Sequence, residues 1–385
     1  MTWKLFIENQ IKLYKKTSIW RERCCIDISN SRKLSFCGKT YLNFSSNDYL
    51  GISCNQMVIN MWKNGIDQYG LGSGGSGHII GYTKAHNNLE FKLAEWLGYS
   101  NALLFISGFA ANQAVISALM TKKDRILADK LSHASIIEAS IHTNAQVRRF
   151  HHNRIDSLDN LIKISFPGKT LVITEGIFSM DGDAAPIDEL YNIAIKHNAW
   201  LMVDDAHGIG VVGNKGRGSC DLYGIKPEIL VVTFGKAFGL SGAAVLCDKQ
   251  ISDFFIQKAR HLIYSTSMPP AQAVAISEAV KQIQLADIAR AKLNNNIKYF
   301  RDNFNLKYIR LSSSTTAIQP LIIGSNSQSQ KLSRFLREKK YIWVQAIRPP
   351  TVPLGSARLR VTLNAMHQQS DIDILLEALN DFVFV

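Results

Sequence analysis

The chain has 385 residues, 46% of them hydrophobic and 19% charged, which supports a large core in more than one lobe and excludes a disordered or fibrous protein. Lys and Arg outnumber Asp and Glu by 44 to 31, for a formal charge of +13; the basic residues are scattered, with no zinc-ligand spacing and no aromatic RNA-binding signature, so nucleic acid is disfavoured and an anionic small substrate or plain solubility accounts for the charge. The six cysteines show no CxxC pairing and no segment reaches the length of a membrane span, so the expectation is a reduced, cytoplasmic protein that is neither exported nor membrane-spanning.

Trp3, Phe6, Ile7, Ile11 and Tyr14 recur at helical spacing and open an N-terminal arm, residues 1–45, which passes through short strand-like pieces to Tyr41-Leu42-Asn43-Phe44. Leu89, Leu93, Trp96 and Leu97 then form a helical stripe, Ala102 to Ile106 a buried strand, Ser107-Gly108 a break, and Phe109 to Met120 a second helix. Further apolar runs of buried-strand type follow at Leu171–Thr174, Ala199–Val203, Ile229–Thr233 and Ala244–Leu246, separated by helical or turn segments. This alternation predicts an α/β fold: a large domain, residues 46–280, with a mostly parallel central sheet flanked by helices. After Pro269-Pro270 a Lys/Asn-rich helical stretch, a strand at Ala317–Ile323, a helix and a strand at Ala357–Leu363 predict a smaller C-terminal α+β domain, residues 281–385.

Several motif matches fail on context. Gly72 to Gly77 and Gly208 to Gly213 both satisfy GxGxxG, yet the first follows a helical stretch and the second opens onto Asn214-Lys215-Gly216-Arg217-Gly218, no helix start, which speaks against a dinucleotide site. Gly168-Lys169-Thr170 resembles the end of a P-loop, but Lys163 stands where its first glycine belongs. Asp204 and Asp205 are adjacent strand residues pointing to opposite faces, so no metal site is expected there.

The chemistry gathers at strand ends. Lys236 lies in Thr233-Phe234-Gly235-Lys236-Ala237-Phe238-Gly239 just past an apolar strand, where an amine is held rigidly and glycines let a bulky cofactor approach. Asp204 ends a neighbouring strand and suits a protonated pyridine nitrogen, with His207 beside the same ring. Ser107-Gly108-Phe109, between a strand and a helix, offers backbone N–H groups to a phosphate, and the Thr233 hydroxyl would add to them. His133 suits stacking on an aromatic cofactor, and Glu175 and Ser179 lie just past a further strand end, although each also reads as an ordinary turn or cap residue.

Asn43-Phe44-Ser45-Ser46-Asn47-Asp48-Tyr49-Leu50-Gly51, the Gly72–Gly77 loop, Asp204-Asp205-Ala206-His207-Gly208 and the Lys236 segment together resemble the α-oxoamine synthases of the fold-type I pyridoxal-phosphate superfamily, over nearly the whole chain. The resemblance implies pyridoxal 5'-phosphate bound to Lys236, with Asp204 at the pyridine nitrogen, His133 stacked on the ring and His207 and Ser179 on its phenolic oxygen. Gly108, Phe109 and Thr233 would fix the phosphate, with Glu175 nearby. Gly77-His78, Ser107 to Asn112, His261 to Pro270 and Ala346 to Pro353 resemble the branch of that family which joins L-alanine to a pimeloyl thioester. That implies Arg348 for the amino-acid carboxylate and Arg21, Asn47 and Thr351, with His133, as substrate contacts. It also implies a homodimer in which Ser265 or Thr266 reaches the partner's cofactor.

Overall fold

The computed structural model describes residues 1–383; the last two residues of the expected C-terminal domain lie outside it. Its centre is a seven-stranded sheet built from β1 (Asn101–Phe105), β2 (Arg125–Asp129), β3 (Gln146–Phe150), β4 (Thr170–Glu175), β5 (Trp200–Asp204), β6 (Ile229–Thr233) and β7 (Ala243–Cys247). The spatial order is β1-β7-β6-β5-β4-β2-β3. Only β7 runs against its neighbours; the contiguous block β6-β5-β4-β2-β3 is parallel. Strands covered on both faces read as continuous apolar runs, and every residue of β2, β6 and β7 is buried.

Helices α1 (Gly108–Leu119) and α2 (Ala134–His142) follow β1 and β2 directly. Val115, Ile116, Ile136 and Ala139 on these helices join Ile126, Ile173, Met202, Val231 and Val245 of the strands in one core. Each fully buried Val or Ile there contributes about 2 kcal/mol against exposure. Helix Pro270–Gln284 packs on helix Gln56–Tyr69 so tightly that a Cβ at Gly65 would stand 2.7 Å from Ala271 Cα.

The described residues divide into two units, one comprising residues 48–179 and 183–290, the other 1–47, 180–182 and the described residues from 291 on. The expected separate N-terminal arm, 1–45, therefore belongs to the C-terminal unit, whose start falls at Ala291 instead of 281. The physical reason is hydrogen bonding: Lys39–Asn43 pairs in parallel with Ile342–Trp343, and the Arg348 guanidinium donates to the carbonyls of Ser18 and Trp20 at 2.6 and 3.2 Å. The short segment 180–182 is held to the same unit by Arg358, 2.7 Å from Asp181 Oδ1, and by Ser314, which donates to Gly182 O at 2.7 Å. The opening helix forms as its spacing predicts, over Trp3–Lys16, but buries none of its residues.

Past the carboxyl edge of the sheet, His152 sits between two carboxylates, Nδ1 at 2.9 Å from Asp129 Oδ1 and Nε2 at 2.8 Å from Asp183 Oδ2. Burial alone would lower its pKa, but the hydrogen bonds and charges of Asp129 and Asp183 prevail and raise it to about 10. A folded-state value above the ordinary one means that this stabilisation is complete below about pH 6.5 and disappears as pH rises through about 10. We expect His152→Gln to melt about 3–5 °C below the parent at neutral pH, with the gap closing above the folded-state pKa. Thermal melts of both proteins across that range check this, and a gap that does not change with pH contradicts it.

Candidate active site

The carboxyl ends of β4, β5 and β6 deliver Glu175, Asp204 and Thr233 to one edge of the parallel block, where open α/β sheets place their ligands. Glu175 and Asp204 are register partners across β4 and β5. Asp204, 6% exposed, accepts a hydrogen bond at Oδ1 from Ala206 N at 3.0 Å and at Oδ2 from Asn112 Nδ2 at 2.7 Å. Asp205 turns to the opposite face, where Ser219 N and Oγ donate to it at 2.7 and 2.6 Å. Burial raises the Asp205 pKa to about 7, against the opposing Ser219 bonds. Glycine is required around it: a Cβ at Gly176, Gly208 or Gly218 would lie 2.1, 2.1 or 2.0 Å from its oxygens. The second GxGxxG match is thus a packing and turn device, with Gly210 and Gly213 at φ +82° and +79°.

Lys236 rides in a tight turn after β6, in which Phe234 N donates to Gly242 O at 2.9 Å, Gly239 N to Lys236 O at 2.8 Å and Leu240 N to Phe234 O at 2.8 Å. Phe234 and Phe238 are fully buried and anchor that turn. Gly239, at φ +66°, passes so near the backbone of Ser53 that a Cβ would stand 2.2 Å from Ser53 N. Asp48 shapes the facing turn by accepting from Ile52 N at 2.9 Å and Ser53 Oγ at 2.6 Å. Its neighbour Tyr49, 1% exposed, lies with its hydroxyl 2.6 Å from His207 Nδ1.

His133 caps α2. Its backbone N–H donates to Glu175 Oε1 at 2.6 Å, and its Nδ1 lies 2.8 Å from Ser135 Oγ. Desolvation lowers its pKa; Asp204 opposes that shift and Lys236 adds to it. Glu175 is driven well above the usual carboxylate range, first by complete burial and then by Asp204. Phe109 meets His133 edge-on, with ring centroids 6.4 Å apart.

The residues fit a phosphorylated pyridine cofactor. Ser107 caps α1 by accepting from Ala110 N at 3.1 Å, and the internal ladder begins with Ala111 N donating to Ser107 O at 3.0 Å, so the N–H groups of Gly108 and Phe109 stand at the positive end of the helix. The buried Thr233 hydroxyl has no hydrogen-bond partner within the protein. Gly108 is the only residue the cradle admits, since a Cβ there would fall 2.6 Å from Thr233 Cγ2. Ser179 follows the β4 end, half-buried. Ser265 and Thr266 border a small cavity of about 40 Å³ with Gly77 and His86, and His78 Nε2 lies 2.7 Å from Ile256 O.

In the other unit, Arg21 Nη2 donates to Thr351 Oγ1 at 3.0 Å, which joins two of the expected substrate contacts. Both terminal nitrogens of Arg348 serve the carbonyls of Ser18 and Trp20, its Nε is buried without a partner, and burial, then Arg21, lowers its pKa. Asn47 Oδ1 instead accepts from Arg360 Nη1 at 3.0 Å. Arg360, Tyr49, Asn112 and Ser135 all escaped assignment from sequence. Tyr49 and Asn112 stand inside recognised motifs, whereas nothing local marks Ser135 or Arg360.

A family model described as aminotransferase class I and II matches residues 39–379. The chain is 59% identical to an 8-amino-7-oxononanoate synthase of Photorhabdus laumondii, over 99% of this chain and 100% of that one. It is 55% identical to one of Serratia proteamaculans, over 99% of each. Among solved structures, a serine palmitoyltransferase from S. paucimobilis with bound PLP and myriocin superposes with TM-score 0.91 at 25% identity, covering 97% of this chain and 96% of that one. An 8-amino-7-oxononanoate synthase from Francisella tularensis does so with TM-score 0.78 at 33% identity, covering 88% and 96%.

We expect Gly108→Ala to weaken pyridoxal phosphate binding at least about tenfold, because the new methyl and Thr233 occupy the same space. A fluorescence titration of cofactor-free protein checks this; unchanged affinity places the phosphate elsewhere.

Proposed function

The chain belongs to the family of class I and II aminotransferases, and from that premise we propose that it joins L-alanine to a pimeloyl thioester, releasing carbon dioxide, the thiol carrier and 8-amino-7-oxononanoate. This is the reaction of an 8-amino-7-oxononanoate synthase, a pyridoxal-phosphate-dependent acyltransferase of biotin biosynthesis. The observation that carries the reading is the hydrogen-bonded chain from Asp204 through Asn112 and Ser135 to His133, with links of 2.7, 2.9 and 2.8 Å, at the sheet edge where the Lys236 turn leaves β6. It stands beside the partnerless Thr233 hydroxyl and the N-terminus of α1, and a cluster of polar and titratable groups at one sheet edge favours a site over scattered core residues.

Pyridoxal phosphate, when bound, supplies a conjugated pyridine ring into which negative charge developing on an amino acid's α-carbon can spread. Lys236 would hold the cofactor, and its amine would remove the alanine α-proton and later return it. Asp204 keeps a proton on the pyridine nitrogen, and the Asn112 and Ala206 bonds hold its carboxylate against rotation. His207, supported by Tyr49, serves the phenolic oxygen with Ser179. Gly108, Phe109 and Thr233 would hold the phosphate. Glu175 fixes the backbone of His133, whose ring stacks on the cofactor. The alanine α-carbon then bonds to the acyl carbon as the carbon–sulfur bond breaks, and loss of the alanine carboxyl group completes the product.

Arg21, Asn47 and Thr351 are our acyl-substrate contacts. Two arginines compete for the amino-acid carboxylate, Arg348 and the buried Arg360 beside Asn47. The excess positive charge suits an anionic thiol carrier, coenzyme A or a carrier protein. A homodimer in which Ser265 or Thr266 approaches the partner's cofactor completes the proposal.

Purified protein supplied with pyridoxal phosphate, L-alanine and pimeloyl-coenzyme A should release 8-amino-7-oxononanoate, with pimeloyl favoured over succinyl and acetyl thioesters at least about tenfold in kcat/KM. Preference for a shorter thioester would sink the substrate assignment. Lys236→Ala should lose the visible absorbance of lysine-bound cofactor and turnover together; an unchanged spectrum removes Lys236 from its role. Lysine replacement at the arginine that binds the carboxylate should raise the alanine KM about tenfold. An effect at Arg360 and none at Arg348 assigns the first, and the reverse result assigns the second.

A further inference from the structure

Two polar residues outside the catalytic assignments join His133 to Asp204. Asn112 Nδ2 donates to Asp204 Oδ2 at 2.7 Å and to Ser135 Oγ at 2.9 Å. A carboxylate only accepts, so the Asn112 amide must present its NH₂ group here. Its Oδ1 is left buried without a partner, which marks an orientation dictated by the NH₂ side. Ser135 is fully buried. With its oxygen receiving Asn112, the hydroxyl hydrogen points to His133 Nδ1, 2.8 Å away. The Ser135 backbone N–H donates to the same nitrogen at 3.3 Å. An imidazole nitrogen that receives two donors carries a lone pair, which leaves the ring hydrogen on Nε2.

We propose that Asn112 and Ser135 are positioning residues that lock His133 in its neutral, Nε2-protonated tautomer and at the same time pin the Asp204 carboxylate. The titratable groups around the ring are Asp204 from β5, Glu175 from β4 and Lys236 after β6. Asp204 favours a protonated ring, and Lys236 and desolvation oppose it. The hydrogen-bond chain decides the balance, because protonating Nδ1 would set its hydrogen against the Ser135 N–H. The benefit to the reaction follows from charge. An imidazolium stacked on a protonated pyridine would compete for Asp204 and repel the ring it covers, whereas a neutral ring stacks without that cost and keeps Nε2–H as its one donor.

The role of this lock rests on the cofactor reading above, but the tautomer is measurable without cofactor or turnover. Long-range ¹H–¹⁵N NMR of protein labelled at histidine, with the His133 signal identified by its loss in His133→Asn, should show bare Nδ1 and protonated Nε2 at neutral pH, with and without pyridoxal phosphate. Ser135→Ala should raise the pH of half-protonation of His133 by about one unit. It should also lower kcat on the acid side of the pH profile while the alanine KM stays constant, and Ser135→Thr, which keeps the hydroxyl, should restore both. Protonated Nδ1 or an imidazolium in the parent protein at neutral pH overturns the proposal, as does an unshifted titration in folded Ser135→Ala. Should that variant not fold, the parent spectrum decides alone. Cofactor failing to bind while the tautomer is as stated would overturn the function and spare the lock.

Discussion

Everything at this site depends on keeping one negative charge in place at the end of a buried strand. Asp204 is nearly inaccessible to water, so its charge must be sustained by donors within the protein, and those are Ala206 N and Asn112 Nδ2. Both come with the architecture. The turn after β5 supplies Ala206, and the helix after β1 supplies Asn112. The same helix presents its N-terminal N–H groups at Gly108 and Phe109. In the proposed reading one element would therefore secure the pyridine end of the cofactor through a side chain and the phosphate end through its backbone.

The next residue shows the opposite use of a carboxyl group. Asp205 sits beside Asp204 in sequence and equally deep, but alternation sends it to the other face, against Ser219 and a ring of glycines. Its pKa rises to about 7 from burial. Two adjacent acids thus divide into the one proposed to serve the cofactor and a strut that joins loops on the far side of the strand. Glu175, register partner of Asp204, is also pushed upward by burial and by that neighbouring charge, which concentrates the negative charge of the edge on Asp204.

Much of this was legible in the sequence because the chemistry sits at the ends of strongly apolar strands. The runs at Ala102–Ile106, Leu171–Thr174, Ala199–Val203, Ile229–Thr233 and Ala244–Leu246 all became strands of one sheet, and the residues at or just past the ends of the first four bear the candidate roles. Two strands carried no such signal. β2, Arg-Ile-Leu-Ala-Asp, begins and ends with charge, its buried Arg125 donating to Leu161 O and Ile164 O at 3.2 and 2.9 Å and also to Ile162 O and Thr170 Oγ1; β3, Gln-Val-Arg-Arg-Phe, is a polar edge strand. The lock on His133 was illegible for a different reason. Asn112, Ser135 and Asp204 are far apart in sequence, and a serine two residues after a histidine is unremarkable until the fold brings an asparagine to it. Arg348 drew attention through its motif, while the structure uses its fork to hold the arm and places Arg360 beside Asn47, a pairing that spans 313 residues.

The most direct test of the account is the protonation state of the cofactor's ring nitrogen. With ¹⁵N-labelled pyridoxal phosphate bound to the protein, the pyridine nitrogen is expected to stay protonated throughout the neutral and mildly alkaline range and to lose that proton in Asp204→Asn. A bare pyridine nitrogen in the parent protein, or one that stays protonated in the variant, would contradict the role given to Asp204.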